Sequence, residues 1–201
     1  QGQKLTLDQD PKTHISQEKI SAFEAYVKKD DPAFSYELLD EINGEEYKAY
    51  IIRMVSQSWL NSSAVADPIW WHWLTIVVPD NTGYDTAMLI IGGGDRKTPQ
   101  PNDPDPLTLQ TALASGSIVA DLHNVPNQPV TFKRDSFGPR YEDALISFGW
   151  RQFLEGGAKD SDNEWLARFP MTKASVRAMD VISDFAEKRI DKKIDKFVVA
   201  G

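Results

Sequence analysis

Three successive glycines, Gly92 to Gly94 in the stretch "IIGGGD", are the residues of this sequence with the most direct link to chemistry. They follow a short apolar run that is typical of a buried strand. Because glycine has no Cβ, its backbone N–H groups can approach a developing oxyanion at the carboxyl edge of a sheet. Taken alone, the pattern favours a flexible turn, with an oxyanion loop at these glycines as the alternative. A dinucleotide fingerprint or a Walker loop fails on glycine spacing.

A second polar stretch, "DLHNVPNQP", follows the next predicted strand, "SIVADL". The carboxyl ends of parallel strands meet at the same edge of an open α/β sheet, where ligands bind. We therefore expect a pocket at this edge, lined by Gly94, His123, Asn124 and Asn127, with Gln128 as a further candidate. The alternative is that the Asn and Pro residues only build turns and that His123 bonds a backbone carbonyl.

A complete catalytic triad is not predicted within these 201 residues. The sequence has no G-x-S-x-G, and Ser117 in "ASGSIVAD" begins a strand, at the opposite edge from a nucleophile turn. His72 lies among tryptophans in "IWWHWLTIVVP" and is predicted to be a packed core histidine, while His14 lies in a polar leader. The three histidines show no metal-ligand spacing and there is no cysteine, so we expect neither a metal nor another cofactor.

The first part of the chain is predicted to be mostly β-structure. Residues 1–32 form a polar leader with a short helix around Ser16–Lys29, capped by Ser16. Residues 34–79 contain long β-branched and aromatic runs, which favour an antiparallel meander. The sequence "NTG" after Pro79 is typical of a hairpin-like turn. The aromatic cluster Trp70, Trp71 and Trp73 is interpreted as core packing, with a carbohydrate-stacking surface as a minor alternative.

From Thr86 onward, strands alternate with helices. Helices are predicted in "DPLTLQTALASG", "RYEDALISFGWRQFLEGG" and "TKASVRAMDVISDFAEKRI", each with apolar residues at helical spacing or clear end signals. This alternation implies parallel strands covered on both faces. The predicted fold class is α/β: an α/β-hydrolase-like fold in which antiparallel N-terminal strands lead into a mostly parallel sheet flanked by helices. Residues 33–201 would be the N-terminal half of that domain.

The last stretch, "KFVVAG", predicts a strand that ends at Gly201, where a sharp turn should begin. A buried central strand is a poor natural terminus, since termini normally lie at the surface. We therefore expect an incomplete domain. A complete domain of 201 residues is the alternative.

Several long segments, in one order, resemble the PhoPQ-activated pathogenicity-related family: "PIWWHWLTIVVPDN", "AMLIIGGG", "GSIVADLHNVPNQPV", "YEDALISFGW" and "RFPMTKASVRAMD". The resemblance covers roughly residues 25–201. It implies an α/β-hydrolase-like fold in an exported protein, periplasmic or secreted, and a longer chain. It also implies that the strand before Gly201 continues into a turn of the form Gly-x-Ser-Lys-Arg-Gly, with Gly201 as its first glycine and the nucleophilic serine two residues further on. Within this chain, the resemblance implies no catalytic residue other than an oxyanion role for Gly92 and Gly93.

The resulting functional hypothesis is the N-terminal part of an exported serine-hydrolase-like protein that acts on an ester, amide or peptide bond. Its expected partners are a small-molecule or peptide substrate and the C-terminal half of the same protein. The alternative is a non-catalytic secreted pathogenicity or signalling factor on a hydrolase scaffold. A net charge of −8 argues against nucleic-acid binding, and the apolar stretches are too short for a transmembrane helix.

Overall fold

The computed structural model describes residues 20–201. Most of the predicted leader, residues 1–32, and the predicted cap Ser16 therefore lie outside the described residues. Helix α1 (Ala22–Lys28) lies within the predicted helical stretch, and the side chain of Ser21 caps it by accepting a backbone N–H of the first turn.

Eight strands and three further α-helices follow in an order close to the prediction. They are β1 (Ser35–Asn43), β2 (Tyr47–Ser58), β3 (Ile69–Pro79), β4 (Thr86–Ile91), α2 (Pro106–Ser115), β5 (Val119–Leu122), β6 (Val130–Thr131), β7 (Pro139–Arg140), α3 (Glu142–Glu155), a 3₁₀ helix (Asp160–Trp165), α4 (Arg168–Ile190) and β8 (Lys196–Ala200). Helix α2 begins with Pro106 and ends at Gly116, which adopts the left-handed conformation expected of a terminating glycine. No helix in the described part of the chain is both long enough and apolar enough to cross a membrane.

Six strands form one mixed sheet in the order β1-β2-β3-β5-β4-β8. The pairs β1–β2, β2–β3 and β3–β5 are antiparallel, whereas β5–β4 and β4–β8 are parallel. The predicted passage from antiparallel to parallel strands, and with it the α/β-hydrolase-like fold, is confirmed. Antiparallel pairs are nevertheless in the majority among the described residues, because the parallel part comprises only β5, β4 and β8.

The "NTG" turn does not close a hairpin, which corrects the prediction from the sequence. Strand β5 lies between β3 and β4, so β4 is not hydrogen-bonded to the strand that precedes it. Helix α2 then returns the chain so that β5 can enter this position in parallel with β4. The turn therefore leads into a crossover, because the pairing of β5 with both β3 and β4 outweighs local turn chemistry.

Apolar side chains cover both faces of the sheet. On one face, Leu74, Leu89 and Leu122 pack with Val181 and Phe185 of α4. On the other face, smaller residues of the strands pack with α2; this second cluster contains Ala49, Val77, Ala112 and Val119. Alternate residues of a strand point to opposite faces, so α4 and α2 flank the sheet as the sequence predicts.

Strand β8 differs from the expectation of a buried central strand. It pairs with β4 on one side, and among the described residues no strand lies on its other side. Val198 and Val199 are consequently 55% and 49% exposed, while Phe197 packs against the core beneath α4. The end of β8 lies beside the start of the glycine loop, since a Cβ on Gly201 would be 2.6 Å from the carbonyl oxygen of Ile91.

Helix α3 forms as predicted but buries a different face. Leu145 and Gly149 are its buried residues, whereas Trp150 and Leu154 are largely exposed. A Cβ on Gly149 would be 2.2 Å from the carbonyl oxygen of Trp165. The 3₁₀ helix thus lies against the buried face of α3 at a position where only a glycine fits, and apolar spacing alone does not reveal this contact.

His72 is a core histidine, as predicted. Its Nε2 lies 2.9 Å from the hydroxyl of Ser56, and its Nδ1 lies 3.3 Å from the carbonyl oxygen of His123. Since a carbonyl only accepts, Nδ1 carries the hydrogen and Nε2 accepts from Ser56. Burial lowers the pKa of His72 to about 4, so the ring is neutral at pH 7.

We expect His72 to make folding sensitive to acid. Its pKa is lower in the folded chain than the ordinary value of 6.5 for histidine, so the unfolded chain binds the proton more readily between pH 6.5 and about 4. The stabilisation is therefore complete above pH 6.5 and is lost as the pH falls through this window, by roughly 3 kcal/mol. Urea unfolding at a series of pH values measures this loss of unfolding free energy.

The matched control for this experiment is His72→Gln, which keeps a hydrogen-bonding side chain of similar length but does not titrate. The variant should show a shallower loss of unfolding free energy between pH 6.5 and 4 than the natural protein. Equal pH dependence in the two proteins would contradict the assignment of this acid sensitivity to His72.

Candidate functional site

The three parallel strands bring three separate parts of the sequence to one edge of the sheet. Gly92 follows β4, His123 follows β5 and Gly201 follows β8. Because β4 lies between β5 and β8, the glycine loop Gly92–Gly94 occupies the middle of this edge. The geometry is that of a ligand site at the carboxyl ends of parallel strands.

A cavity of about 450 Å³ opens at this edge on the side of α4. Its walls combine backbone from the glycine loop and the end of β8 with side chains from the first turns of α4 and the loop after β5. Its polar or backbone-exposing residues are Gly92, Gly93, Arg168, Thr172, Ser175 and Gly201. Apolar side chains, among them Val125 and Val199, complete the wall. The site is thus a mainly apolar cleft with a few polar groups, as small-molecule sites commonly are.

The two candidate oxyanion glycines differ in whether their backbone N–H group is hydrogen-bonded. The N–H of Gly92 donates to the carbonyl of Leu122 at 2.8 Å. The N–H of Gly93 donates to no acceptor among residues 20–201, and a Cβ on Gly93 would meet nothing within 4 Å. Gly93 therefore offers a free donor at the cavity, whereas the N–H of Gly92 is already used by the sheet.

The glycine loop is held to the loop after β5 by two backbone hydrogen bonds. The N–H of Asn124 donates to the carbonyl of Gly93 at 2.9 Å, and the N–H of Val125 donates to the carbonyl of Gly92 at 3.2 Å. The carbonyl of Gly92 and the N–H of Gly93 belong to one planar trans peptide group and point in opposite directions. Because that carbonyl points to Val125, the N–H of Gly93 points away from the loop after β5. Two short loops from neighbouring strands therefore act as one rigid unit.

The residues predicted to line the pocket lie behind or beneath this unit. Asn124 and Asn127 are fully buried, and the side-chain amide of Asn127 donates to the carbonyl of Trp71. Gln128 donates to the carbonyl of Gly94 at 3.0 Å. None of the predicted lining residues, including Gly94 and His123, is part of the cavity wall. The side-chain amides of Asn127 and Gln128 thus bond the backbone of neighbouring segments, whereas neither polar atom of the Asn124 side chain has a hydrogen-bond partner among residues 20–201. The sequence pattern does not distinguish these arrangements from lining a pocket.

His123 forms an ion pair that the sequence analysis did not identify. Its Nε2 lies 2.8 Å from Oδ2 of Asp121, which is only 5% exposed. The bond to the Asp121 carboxylate is the main cause that raises the pKa of His123, and partial burial opposes it. The two residues are two apart in β5 and its extension, so they share a face. That D-x-H spacing after a strand was the available signal.

The contribution of α4 to the cavity was also missed. Arg168 is exposed at the start of this helix, and Thr172 and Ser175 follow at helical spacing. A helix that connects two parallel strands runs opposite to them, so its first turn lies at their carboxyl edge. Among residues 20–201, no group of three His, Asp or Glu side chains could hold a metal ion.

We expect Gly94 to be intolerant of substitution. Its φ is +120°, and a Cβ there would be 2.7 Å from Oδ1 of Asn124 and 3.1 Å from Oγ1 of Thr98. Gly94→Ala should lower the unfolding free energy by roughly 1–3 kcal/mol, measured by urea denaturation. The control is Gly83→Ala, where a Cβ meets nothing within 4 Å. Equal stability of the two variants would contradict the geometry of the loop.

Most of this chain is similar to one part of a longer protein. Autocrine proliferation repressor protein A of Dictyostelium discoideum is 36% identical over 177 residues, which are 88% of this chain and 35% of that protein. The chain thus spans about a third of the length of this curated relative.

Two solved structures match most of this chain at low identity. A candidate acetyl xylan esterase from Bacteroides fragilis has a TM-score of 0.49 and 16% identity, over 90% of this chain and 44% of that one. A glucuronoyl esterase from Solibacter usitatus has a TM-score of 0.45 and 13% identity, over 89% and 50%. The family model described as PhoPQ-activated pathogenicity-related protein matches residues 23–201. The chain belongs to the PhoPQ-activated pathogenicity-related protein family.

Proposed function

We propose that this chain is the N-terminal part of an exported serine-hydrolase-like protein that cleaves an ester, amide or peptide bond. The observation that carries the proposal is the shared cavity of about 450 Å³, which is lined both by Gly93, whose N–H has no acceptor among residues 20–201, and by the carboxyl end of β8. A serine on a turn directly after β8 would place its hydroxyl beside an oxyanion donor, which is the arrangement acyl transfer needs.

The proposed reaction uses the chain's own residues mainly to stabilise charge. The serine oxygen attacks the carbonyl carbon of the substrate, and the electron pair of the C=O bond moves to the oxygen. The N–H of Gly93 donates to that oxyanion. When its electron pair re-forms the C=O bond, the C–O or C–N bond breaks and the leaving group takes the proton that the serine hydroxyl gave up. Water hydrolyses the acyl-serine in the same way. Removal of one such donor typically slows the reaction about 10²- to 10³-fold.

Charge in the cavity supports this role. Although the protein has a net charge of −8, Arg168 is an exposed cation in the cavity wall, and no carboxylate lies within ion-pair distance of it among residues 20–201. A positive side chain beside a developing negative charge lowers the energy of the transition state. The first turn of α4 at the same edge contributes in the same direction through the helix dipole.

A second candidate function is a non-catalytic secreted factor on this scaffold. The observation that favours it is the 36% identity to autocrine proliferation repressor protein A, whose name describes a signalling role. Both candidates require export of the protein, which we propose because the family resemblance implies it. They differ in whether the residues after Gly201 provide a reactive serine.

The two candidates are separated by labelling the full-length protein with a fluorophosphonate probe. We expect covalent labelling of the serine two residues after Gly201, because its hydroxyl would be activated at the cavity. Mass spectrometry of the digested protein identifies the labelled residue. The control is replacement of that serine by Ala, which should abolish labelling. A full-length protein that remains unlabelled at high probe concentration would favour the secreted factor.

A further inference from the structure

The imidazole of His123 occupies a fixed position behind the glycine loop. Its backbone is held on both sides, since its N–H donates to the carbonyl of Trp73 at 2.9 Å and its carbonyl accepts from Nδ1 of His72 at 3.3 Å. The ring is held in addition by Asp121, at 2.8 Å from Nε2. The ring therefore has Asp121 as its hydrogen-bonded partner, on a backbone that is held at both its N–H and its carbonyl.

The ring lies directly against the first glycine of the loop. A Cβ built on Gly92 would be 3.4 Å from Nδ1 of His123 and 3.7 Å from Oδ1 of Asp121. Both side chains therefore approach Gly92 from the same side, at ordinary van der Waals distance. The carbonyl of Gly93 is also close enough to affect the titration of the ring.

This side is opposite to the cavity. Val119 packs with the cluster under α2, and alternate residues of a strand share a face, so Asp121 and His123 lie on that face too. The cavity is walled instead by Ile91, Val125 and residues of α4, on the other face. His123 thus supports the loop from behind and is not placed to touch a substrate.

We propose that His123 is a positioning residue: held by the carboxylate of Asp121, its imidazole buttresses the Gly92–Gly94 loop and keeps the N–H of Gly93 turned into the cavity. The catalytic meaning of this role rests on the proposed hydrolase function. The structural part, order in the glycine loop, does not.

Charged groups around His123 favour its protonated form. Asp121 is the main partner, and Asp105 at the start of α2 contributes at longer range. His72, which touches the His123 carbonyl, is neutral because burial lowers its pKa to about 4. A buried carboxylate needs a charged or hydrogen-bonding partner, so loss of the imidazole would also leave Asp121 unpaired beneath the loop.

The test compares the natural full-length protein with His123→Ala, His123→Gln and Asp121→Asn. Lys28→Ala, which breaks an exposed ion pair with Glu24 on α1, is the control for loss of an ion pair elsewhere. Backbone hydrogen exchange is measured by mass spectrometry over residues 92–96 and, for the integrity of the sheet, over residues 86–91. The second-order rate of fluorophosphonate labelling is measured in parallel.

We expect exchange over residues 92–96 to become about tenfold faster in His123→Ala, as for loss of one charge-assisted hydrogen bond, without a change over residues 86–91. Labelling should slow by a similar factor, and His123→Gln should recover part of both. In NMR titrations, the raised pKa of His123 should fall in Asp121→Asn. A role limited to packing would leave loop exchange unchanged in Asp121→Asn, which keeps the size of the side chain and removes its charge.

Unchanged exchange over residues 92–96 in both His123 variants would overturn the inference. If exchange over residues 86–91 also becomes faster in His123→Ala, the sheet itself is disturbed in that variant. Exchange over residues 92–96 in His123→Gln then tests the inference. If the natural protein is not labelled at all, the hydrolase proposal fails, but the exchange measurement still decides whether His123 orders the loop. Slower labelling with unchanged loop exchange would also overturn it, because the effect would not act through the position of Gly93.

Discussion

Parallel pairing of β4 with both β5 and β8 is the constraint on which the site depends. This pairing places the ends of three strands at one edge, although they are separated by long stretches of sequence. Without it, the glycine loop, the loop after β5 and the residues around Gly201 would have no reason to meet. Crossover helices α2 and α4 make the pairing possible, and their burial on the two faces stabilises it.

Buried polar contacts then give the edge its shape. Apolar packing alone would allow the glycine loop to adopt several conformations, since glycine restricts the backbone least. The loop after β5 removes this freedom through backbone bonds to Gly92 and Gly93, and through the pair of His123 with Asp121. Buried polar groups of this kind specify one arrangement when their bonds are satisfied. The free N–H of Gly93 results from that restriction.

The sequence predicted the elements well and the roles of the polar residues less well. Long β-branched runs and helix end signals such as Pro106 and Gly116 depend on local physics, so β3 and α2 were predicted nearly to the residue. The insertion of β5 between β3 and β4 depends on long-range pairing, which a turn motif does not contain. Whether Asn124 lines a cavity or supports a loop depends on packing between strands, and the sequence pattern is the same for both.

The most direct test of the account is a crystal structure of the full-length protein after reaction with a phosphonate ester that mimics the tetrahedral intermediate. We predict that phosphorus is bonded to a serine just after β8 and that a phosphoryl oxygen lies about 2.7–3.1 Å from the backbone nitrogen of Gly93. An adduct whose phosphoryl oxygen points away from the Gly92–Gly94 loop, or a serine distant from this edge of the sheet, would contradict it.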